Sequence, residues 1–548
     1  MTNSAVEAMT HQHSLAVRRR HWLAATLLNS VVGAVLIVFA LSRVATTTPD
    51  GGDIAVWVGV HEWIMRGEHL YAGIWDHKDP GFFLMGALPY RLFGVLGLYL
   101  LAALMLVVFA VAVYTIAHRA LSRSRALLVT MLVTATYVAA PTFLSTYTEA
   151  MSISVAALGL ALFRQQPLLS GLLFGVAAYI KVGAGLLWVT LVIYVAVAIL
   201  ARKVNSSLLR RCNVSIRELS ANALGFVLAM LMLTLLAVAV VDLQGWFDAI
   251  SYNREYQSLR GFPPSGGIFQ TVPESFQLWS QDLGRLSTPV FGYLFWLTVS
   301  IIFTTGVYSR ASRRPYENLP SLKLDCDFQV TAVFAVASVA LTLSQRPSEH
   351  HWQFAVGGAL LFGTILMSRL LGYFRYSATR LLGVWVVASI TLVTTLVMNP
   401  TLLARGALSG LENWTTTSTQ GALGNELARA PEGLSLAYFG GNSVRPEFEQ
   451  LPDSVSLACP YIYQFEHLFP RYEDRYIECI DDRPDIILLD TSVAWGTQEF
   501  RKRVATVLRS EYVECTVEDI RISFWAKSDA ICLDTGRQKD GDLSVHKG

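Results

Sequence analysis

The sequence predicts an α-helical polytopic membrane protein that carries a small α/β domain at its C-terminal end, and three observations support this. First, 53% of the 548 residues are hydrophobic and only 15% are charged, whereas soluble domains average about 25% charged; the mean hydropathy is +0.43. Second, apolar runs recur along residues 1–400, each near the roughly 20 residues that a helix needs to cross a hydrocarbon core about 30 Å thick. Third, those runs stop, and the rest of the chain reads as short strand-like stretches with an amphipathic helix between two of them.

In chain order the spans fall near 22–45, 96–117, 126–140, 151–163, 168–180, 182–201, 220–241, 290–308, 328–344, 355–368 and 381–398, about eleven transmembrane helices in all. Orientation follows Lys and Arg in short flanking loops, and here they collect on alternate loops. Arg18, Arg19 and Arg20 precede the first span; Arg119, Arg123 and Arg125 follow the second; Arg202, Lys203, Arg210, Arg211 and Arg217 follow the sixth. Arg310, Arg313, Arg314 and Lys323 follow the eighth, and Arg369, Arg375 and Arg380 the tenth. These loops and the N-terminus are expected in the cytoplasm, which places 46–95, 141–150, 242–289, 345–354 and everything beyond 399 outside the plasma membrane. Cysteines divide the same way, since disulfides belong to oxidising compartments. Cys212 and Cys326 fall in the cytoplasmic loops, whereas Cys459, Cys479, Cys515 and Cys532 fall in the external tail. Four cysteines allow three pairings; the neighbouring one, Cys459 with Cys479 and Cys515 with Cys532, is the expected one. The first span has the charged and apolar regions of a signal peptide. It exceeds the usual apolar core of roughly 7–15 residues and lacks a clear small-residue cleavage site, so it reads as an anchor.

Between the first two spans, residues 52–83 read GDIAVWVGVHEWIMRGEHLYAGIWDHKDPGFF, neither span nor polar loop. Ile54–Arg66 would form a helix about 20 Å long, with Val56, Val60, Trp63 and Ile64 on one stripe. It is too short to cross, His61 and Glu62 make insertion costly, and Trp57 and Trp63 suit the headgroup boundary. The expectation is a helix lying on the outer surface of the membrane, with Asp53 in the N-cap position and Gly67 in the C-cap position. The turn Trp75–Gly81 leads into a second short apolar helix, Phe82–Phe93.

Residues 401–548 match a conventional small domain in length. Strand-like runs lie at Leu434–Phe439, Val455–Cys459, Ile486–Asp490 and Arg521–Ala526, with the helix-like Thr497–Arg509 between the last two. Gly440-Gly441 follows a strand but lacks the G-x-G-x-x-G spacing of a nucleotide loop, and reads as a turn.

With an anchored first span, an aspartate in "GD" opening an interfacial helix, "RGEHLYAGIWDHKDPG" and a second interfacial helix ending in "LFG", the first external loop resembles that of the GT-C glycosyltransferases. The nearest branch in pattern holds the bacterial relatives of protein mannosyltransferases, the aminoarabinose transferases and the Rgt-type lipopolysaccharide-core transferases. "TYTEA" at 146–150, "GLLFGVAAYIK" at 171–181 and "RPSEHHW" at 346–352 follow in order, so the resemblance covers residues 1–370. Two positions depart from the pattern: Ile54 stands where many relatives have a second acid, and Asp79 stands where the usual K-P-P or K-P-G turn has a proline.

The resemblance implies a GT-C type membrane domain over 1–400 and an extracytoplasmic α/β domain over 401–548. It further implies a glycosyltransferase that moves a sugar from a polyprenyl-phosphate donor to a cell-envelope glycan, lipid or protein, with membrane lipids and no nucleic acid among its partners. Such chemistry needs a base for the acceptor hydroxyl and cations for the departing phosphate. Asp53 is the candidate base, a role compatible with capping the helix, and Asp50 is the next candidate. Lys78, with His77 beside it, is the candidate phosphate ligand; a surface lysine snorkelling from the membrane is the plain alternative. Arg346, His350 and His351 could complete a cationic clamp or simply flank a span. Glu149 would orient sugar hydroxyls, pair with Lys181, or serve only as a first-turn acid favoured by the helix dipole. Arg254, in an aromatic and basic loop with Tyr252, Tyr256 and Arg260, would gate the acceptor entrance, or the loop is simply an inert external one. No cofactor is expected, and no metal: no His pair at i, i+4 accompanies an acid, and adjacent His350 and His351 should point apart on a helix.

A transporter or lipid flippase would share this hydrophobicity. Transporters, however, place ionisable residues near the middle of the membrane and show internal repeats, whereas here the spans are almost free of charge and the acids and bases gather at one face.

Overall fold

A computed structural model of the protein describes residues 53–72, 78–139, 146–203, 212, 214–259, 325–345, 349–373, 433–440, 455–458, 473–490, 496–515 and 523–527. The helices are α1 (Asp53–Met65), α2 (Pro80–Phe93), α3 (Val95–His118), α4 (Arg123–Ala139), α5 (Thr148–Leu162), α6 (Pro167–Ile180), α7 (Gly185–Lys203), α8 (Ile216–Ala237), α9 (Leu243–Leu259), α10 (Cys326–Leu343) and α11 (Trp352–Tyr373). A 3-10 turn, Val182–Ala184, joins α6 to α7, and another, Glu349–His351, precedes α11. Eight of the apolar segments coincide with α3 to α8, α10 and α11; those at 22–45, 290–308 and 381–398 lie outside the described residues.

Among the described residues, four helices are long and apolar enough to cross a membrane, at Leu96–His118, Val182–Ala201, Ile216–Ala237 and Cys326–Leu343. Their outward faces are apolar as well. On α8, Leu224, Val227, Leu231 and Leu235 are all more than half exposed, and α7 presents Leu186, Ile193 and Leu200 in the same way. Stripes of this size have no place in water and suit lipid chains. Inside the bundle, where lipid offers no hydrophobic drive, packing relies on small residues and polar contacts. A Cβ on Gly171 of α6 would come within 1.9 Å of the Asn222 carbonyl oxygen on α8. The Asn222 side chain donates to Ser170 Oγ at 3.0 Å and accepts from Trp188 Nε1 at 2.7 Å, which ties α6, α7 and α8 together.

Helix α1 departs from expectation. Trp57, Val58, Val60, His61, Trp63 and Ile64 are all buried, so it is enclosed around its girth and does not lie on a surface by one stripe. Trp57 meets Phe82 edge-on at 4.9 Å, and His61 faces Phe83 at 5.4 Å. The imidazole Nδ1 bonds the Trp57 carbonyl at 2.6 Å, and burial pushes its pKa down to about 4, so it is buried neutral. Sequence periodicity shows a stripe; it cannot show that a second element covers the other side.

At the opposite end of the bundle Asp327 pairs with Arg119 and Arg164, each at 3.3 Å, and Asp325 pairs with Arg369 at 2.5 Å. Two of the arginines in the orientation tally are thus neutralised locally. Cys212 and Cys326 are joined by a disulfide at this end, not held as the two cytoplasmic thiols the sequence reading keeps apart. Folding brings the approach to α8 against the start of α10, and the orientation then rests on the Lys and Arg pattern without support from cysteine.

The tail holds a five-stranded sheet of order β2-β1-β3-β5-β4, with β1 (Ser435–Gly440), β2 (Ser456–Leu457), β3 (Ile486–Asp490), β4 (Val513–Cys515) and β5 (Ser523–Ala526). The first three are parallel and the last two antiparallel to their neighbours. Helices α12 (Glu473–Asp481) and α13 (Gln498–Glu511) complete it, and Thr497 caps α13 by accepting from the Phe500 amide at 3.1 Å. Phe439 meets Tyr476 and Phe500 edge to face, and those two rings lie tilted against each other, between sheet and helices. Cys479 and Cys515 are both disulfide-bonded; Cys459 and Cys532 lie outside the described residues. Arg66, at the end of α1, pairs with Glu62 at 2.8 Å and reaches the Val455 carbonyl at 3.5 Å, a contact between helix and sheet domain.

Candidate active site

Three helix beginnings and one helix break meet at one end of the bundle. Helix α5 opens with Tyr147 in extended backbone, which puts Glu149 in the first turn. Its carboxylate is fully buried. Thr148 Oγ1 donates to Oε2 at 3.0 Å, and the other oxygen, Oε1, faces Lys181 in direct ion-pair contact and two imidazoles, His351 Nε2 at 3.4 Å and His350 Nε2 at 3.8 Å. Lys181 can reach it because α6 ends at Ile180 and Lys181 is extended, with φ −148° and ψ 111°, before the 3-10 turn begins. The helix break swings the ammonium off the helix axis.

The two histidines correct a sequence expectation. They lie in the Glu349–His351 turn ahead of α11 rather than on the helix, and both rings turn to the same carboxylate, 4.2 Å apart. Glu149, His350 and His351 offer ligand atoms within 4.8 Å of one another, close enough to hold a metal ion. Lys181, however, already bonds Oε1, and a second cation on that oxygen would be repelled by the ammonium.

On the other side of the cluster stands Lys78. Its Nζ lies 5.6 Å from the centre of the Trp57 ring, within cation–π range. Trp57 meets Tyr147 edge-on at 4.7 Å, and Tyr147 in turn lies 4.8 Å from His350. The Lys78 carbonyl accepts from the Tyr71 hydroxyl. Tyr71 itself has φ +73°, a strained conformation for a residue with a Cβ, held where the backbone of Leu70 bonds that of Val240 and Asp242. Asp79 follows. It occupies the N-cap position of α2 yet makes no side-chain bond to its own helix. Its Oδ2 accepts instead from the Val182 amide at 2.9 Å, and burial pushes its pKa up to about 6. The contacts close into a ring: Lys78, Trp57, Tyr147, His350, Glu149, Lys181, Val182, Asp79.

The site therefore brings together Lys78, Glu149, Lys181, His350 and His351 of the sequence candidates. Asp53 is the first residue of α1, one turn ahead of Trp57 on the same helix face; its side chain is not among those described, nor is that of Arg254 on α9. Asp50, His77 and Arg346 lie outside the described residues. Sequence reasoning passed over Trp57, Tyr147 and Asp79 as parts of the site. The signal for Asp79 was there, as an acid where the resembling family has proline.

No family model matches the sequence, and no curated protein matches it. Among solved structures, ArnT from Cupriavidus metallidurans in the apo state superposes with a TM-score of 0.50 at 16% identity, covering 93% of this chain and 99% of ArnT. ArnT bound to undecaprenyl phosphate gives 0.49 at 16% identity over 92% and 98% of the two chains. The apo oligosaccharyltransferase of Archaeoglobus fulgidus gives 0.42 at 10% identity over 91% and 74%. The chain has the fold of ArnT along almost its whole length.

Proposed function

We propose that the protein is a membrane glycosyltransferase that moves a sugar from a polyprenyl-phosphate donor to an extracytoplasmic acceptor. The observation that carries this reading is the closed ring of contacts that runs through Lys78, Trp57, Tyr147, His350, Glu149, Lys181 and Asp79, with His351 on the same carboxylate, at one end of a helical bundle whose outer faces are apolar. A lipid-borne anion can reach such a ring without leaving the bilayer. The fold shared with ArnT is consistent with that chemistry.

In this reading the acceptor hydroxyl oxygen attacks the anomeric carbon while the bond from that carbon to the phosphate oxygen breaks. The electron pair leaves with the lipid phosphate, and the hydroxyl proton passes to a carboxylate, giving inversion at carbon. Lys78 meets the charge that grows on the phosphate. Asp53 takes the proton, with Asp50, three residues earlier in the sequence, as the other candidate acid. Glu149 is unsuited to be the base: it is fully enclosed and its oxygens are committed to Thr148, Lys181 and the histidines. Its part is to hold those cations in place. The ring, with its acids and bases at one end of the spans, favours a surface reaction over passage through the bundle.

The test is to incubate purified protein with a panel of radiolabelled polyprenyl-phosphate sugars and follow release of the lipid phosphate, with nucleotide sugars as the contrasting donors. Release from at least one lipid-linked donor is expected. Turnover of nucleotide sugars alone would overturn the proposal.

A further inference from the structure

Asp79 breaks a habit of its position. A helix N-cap aspartate ordinarily accepts from an amide of its own first turn, yet this one makes no such bond, and Pro80 follows it at the first helical position. The carboxylate crosses to the Val182 amide, 103 residues further along the chain. That amide belongs to the first residue of the 3-10 turn after Lys181, where a helix start leaves N–H groups without intrahelical partners. The same two segments touch a second time: a Cβ on Gly81 would come within 2.3 Å of the Tyr179 carbonyl oxygen. The residue before Asp79 is Lys78, and the residue before Val182 is Lys181. One hydrogen bond thus clasps together the two turns that carry the two ammonium groups of the site.

We infer that Asp79 is a positioning residue that sets the Lys78 turn against the Lys181 turn, so that both cations face one phosphate. This rests on the reading of the site as a lipid-phosphate site. Asp79 touches no substrate; it acts through Lys78. The carboxylate also lies in the field of both ammonium groups, so it holds them near each other in the absence of an anion, when their mutual repulsion would part the turns. In K-P-P and K-P-G turns a proline stiffens this segment; here a cross-chain bond does so.

Two substitutions open the clasp from opposite ends. Asp79→Ala removes the acceptor. Val182→Pro removes the donor, and proline is tolerated at a first helical position; the extended Lys181 before it has the backbone that a residue preceding proline needs. The measurement is binding of undecaprenyl phosphate to the full chain in detergent micelles, together with KM and kcat for whichever lipid-linked donor the protein uses. Both variants should weaken binding about tenfold, the loss of one charge-assisted contact, and raise KM more than they lower kcat. Asp79→Asn keeps an oxygen for the Val182 amide and should recover most of the loss. In a Lys78→Ala background, Asp79→Ala should cost nothing further. Wild-type affinity in Asp79→Ala and Val182→Pro, or an undiminished Asp79→Ala effect without Lys78, would overturn the inference while leaving the glycosyltransferase reading intact. A wild-type protein that binds no undecaprenyl phosphate would overturn both.

Discussion

Replacing Lys181 by methionine would leave Glu149 buried without the ammonium that bonds it. The carboxylate is 0% exposed and the Lys181 side chain 18% exposed, so water can do little to replace the lost partner. Unit charges 4 Å apart attract by about 4 kcal/mol at an effective dielectric of 20, and stripping one partner from a buried pair typically costs about 3–5 kcal/mol. Lys181→Met should therefore destabilise the protein by about 3–5 kcal/mol, tempered by His350 and His351, which stand ready at 3.8 and 3.4 Å. Glu149→Gln, which leaves an ammonium with some access to water, should cost about 2 kcal/mol. The double variant buries no unpaired charge, and should be more stable than the sum of the single losses implies by about 2 kcal/mol or more. Equilibrium unfolding in mixed micelles, read by circular dichroism, gives all four corners of the cycle. Losses that add to within about 0.5 kcal/mol would mean that the two groups do not sustain one another, and the ring would lose its centre.

Asp53→Asn, at the first residue of α1, gives up at most the few tenths of a kcal/mol that a charge gains from the helix dipole but removes the proton acceptor, so thermal stability should hold while turnover falls by about 10²-fold or more; an active asparagine enzyme would pass the role to Asp50. Lys78→Ala should raise the KM for a lipid-linked donor strongly while moving the melting temperature little, because a charge still partly open to water contributes little to stability; unchanged donor dependence would show a lysine that only covers Trp57. His61 gives a pH signature. Its pKa is depressed to about 4 by burial, from an ordinary 6.5, so the folded state binds fewer protons than the unfolded. The stability it contributes is present above pH 6.5 and is lost as pH falls toward 4, in total about 3 kcal/mol. Unfolding curves between pH 7 and 4 should show this slope and lose it in His61→Gln.

Much of the architecture was legible because it depends on local pattern. The run at 486–490 is β3, Thr497 caps the helix expected after it, and the break between 168–180 and 182–201 falls at Lys181. What escaped was short: β4 has three residues, one position after a helix, and α12 has nine, so that its buried Tyr476, Cys479 and Ile480 mark little more than one turn of a period. The site was legible residue by residue but not as a ring. Glu149, Lys181 and the two histidines each stood out as costly charges near span ends, yet nothing local tells that His350 and His351 sit in a tight turn and aim together. Asp79 was hardest to place, because its partner is an amide 103 residues away and backbone amides leave no trace in a sequence.

The helix break at Lys181 also bears on how the protein is made. Ribosomes deliver Glu149 to the membrane first, then Lys181, and much later the histidines before α11. An acid sealed in a bundle without its cation is costly, but Glu149 sits in the first turn of α5, where it can stay wet until α6 ends and the extended Lys181 turns toward it. The pair then waits for His350 and His351. A partly inserted chain thus has no completed ring, which comes together only when α11 and the turn before it are in place.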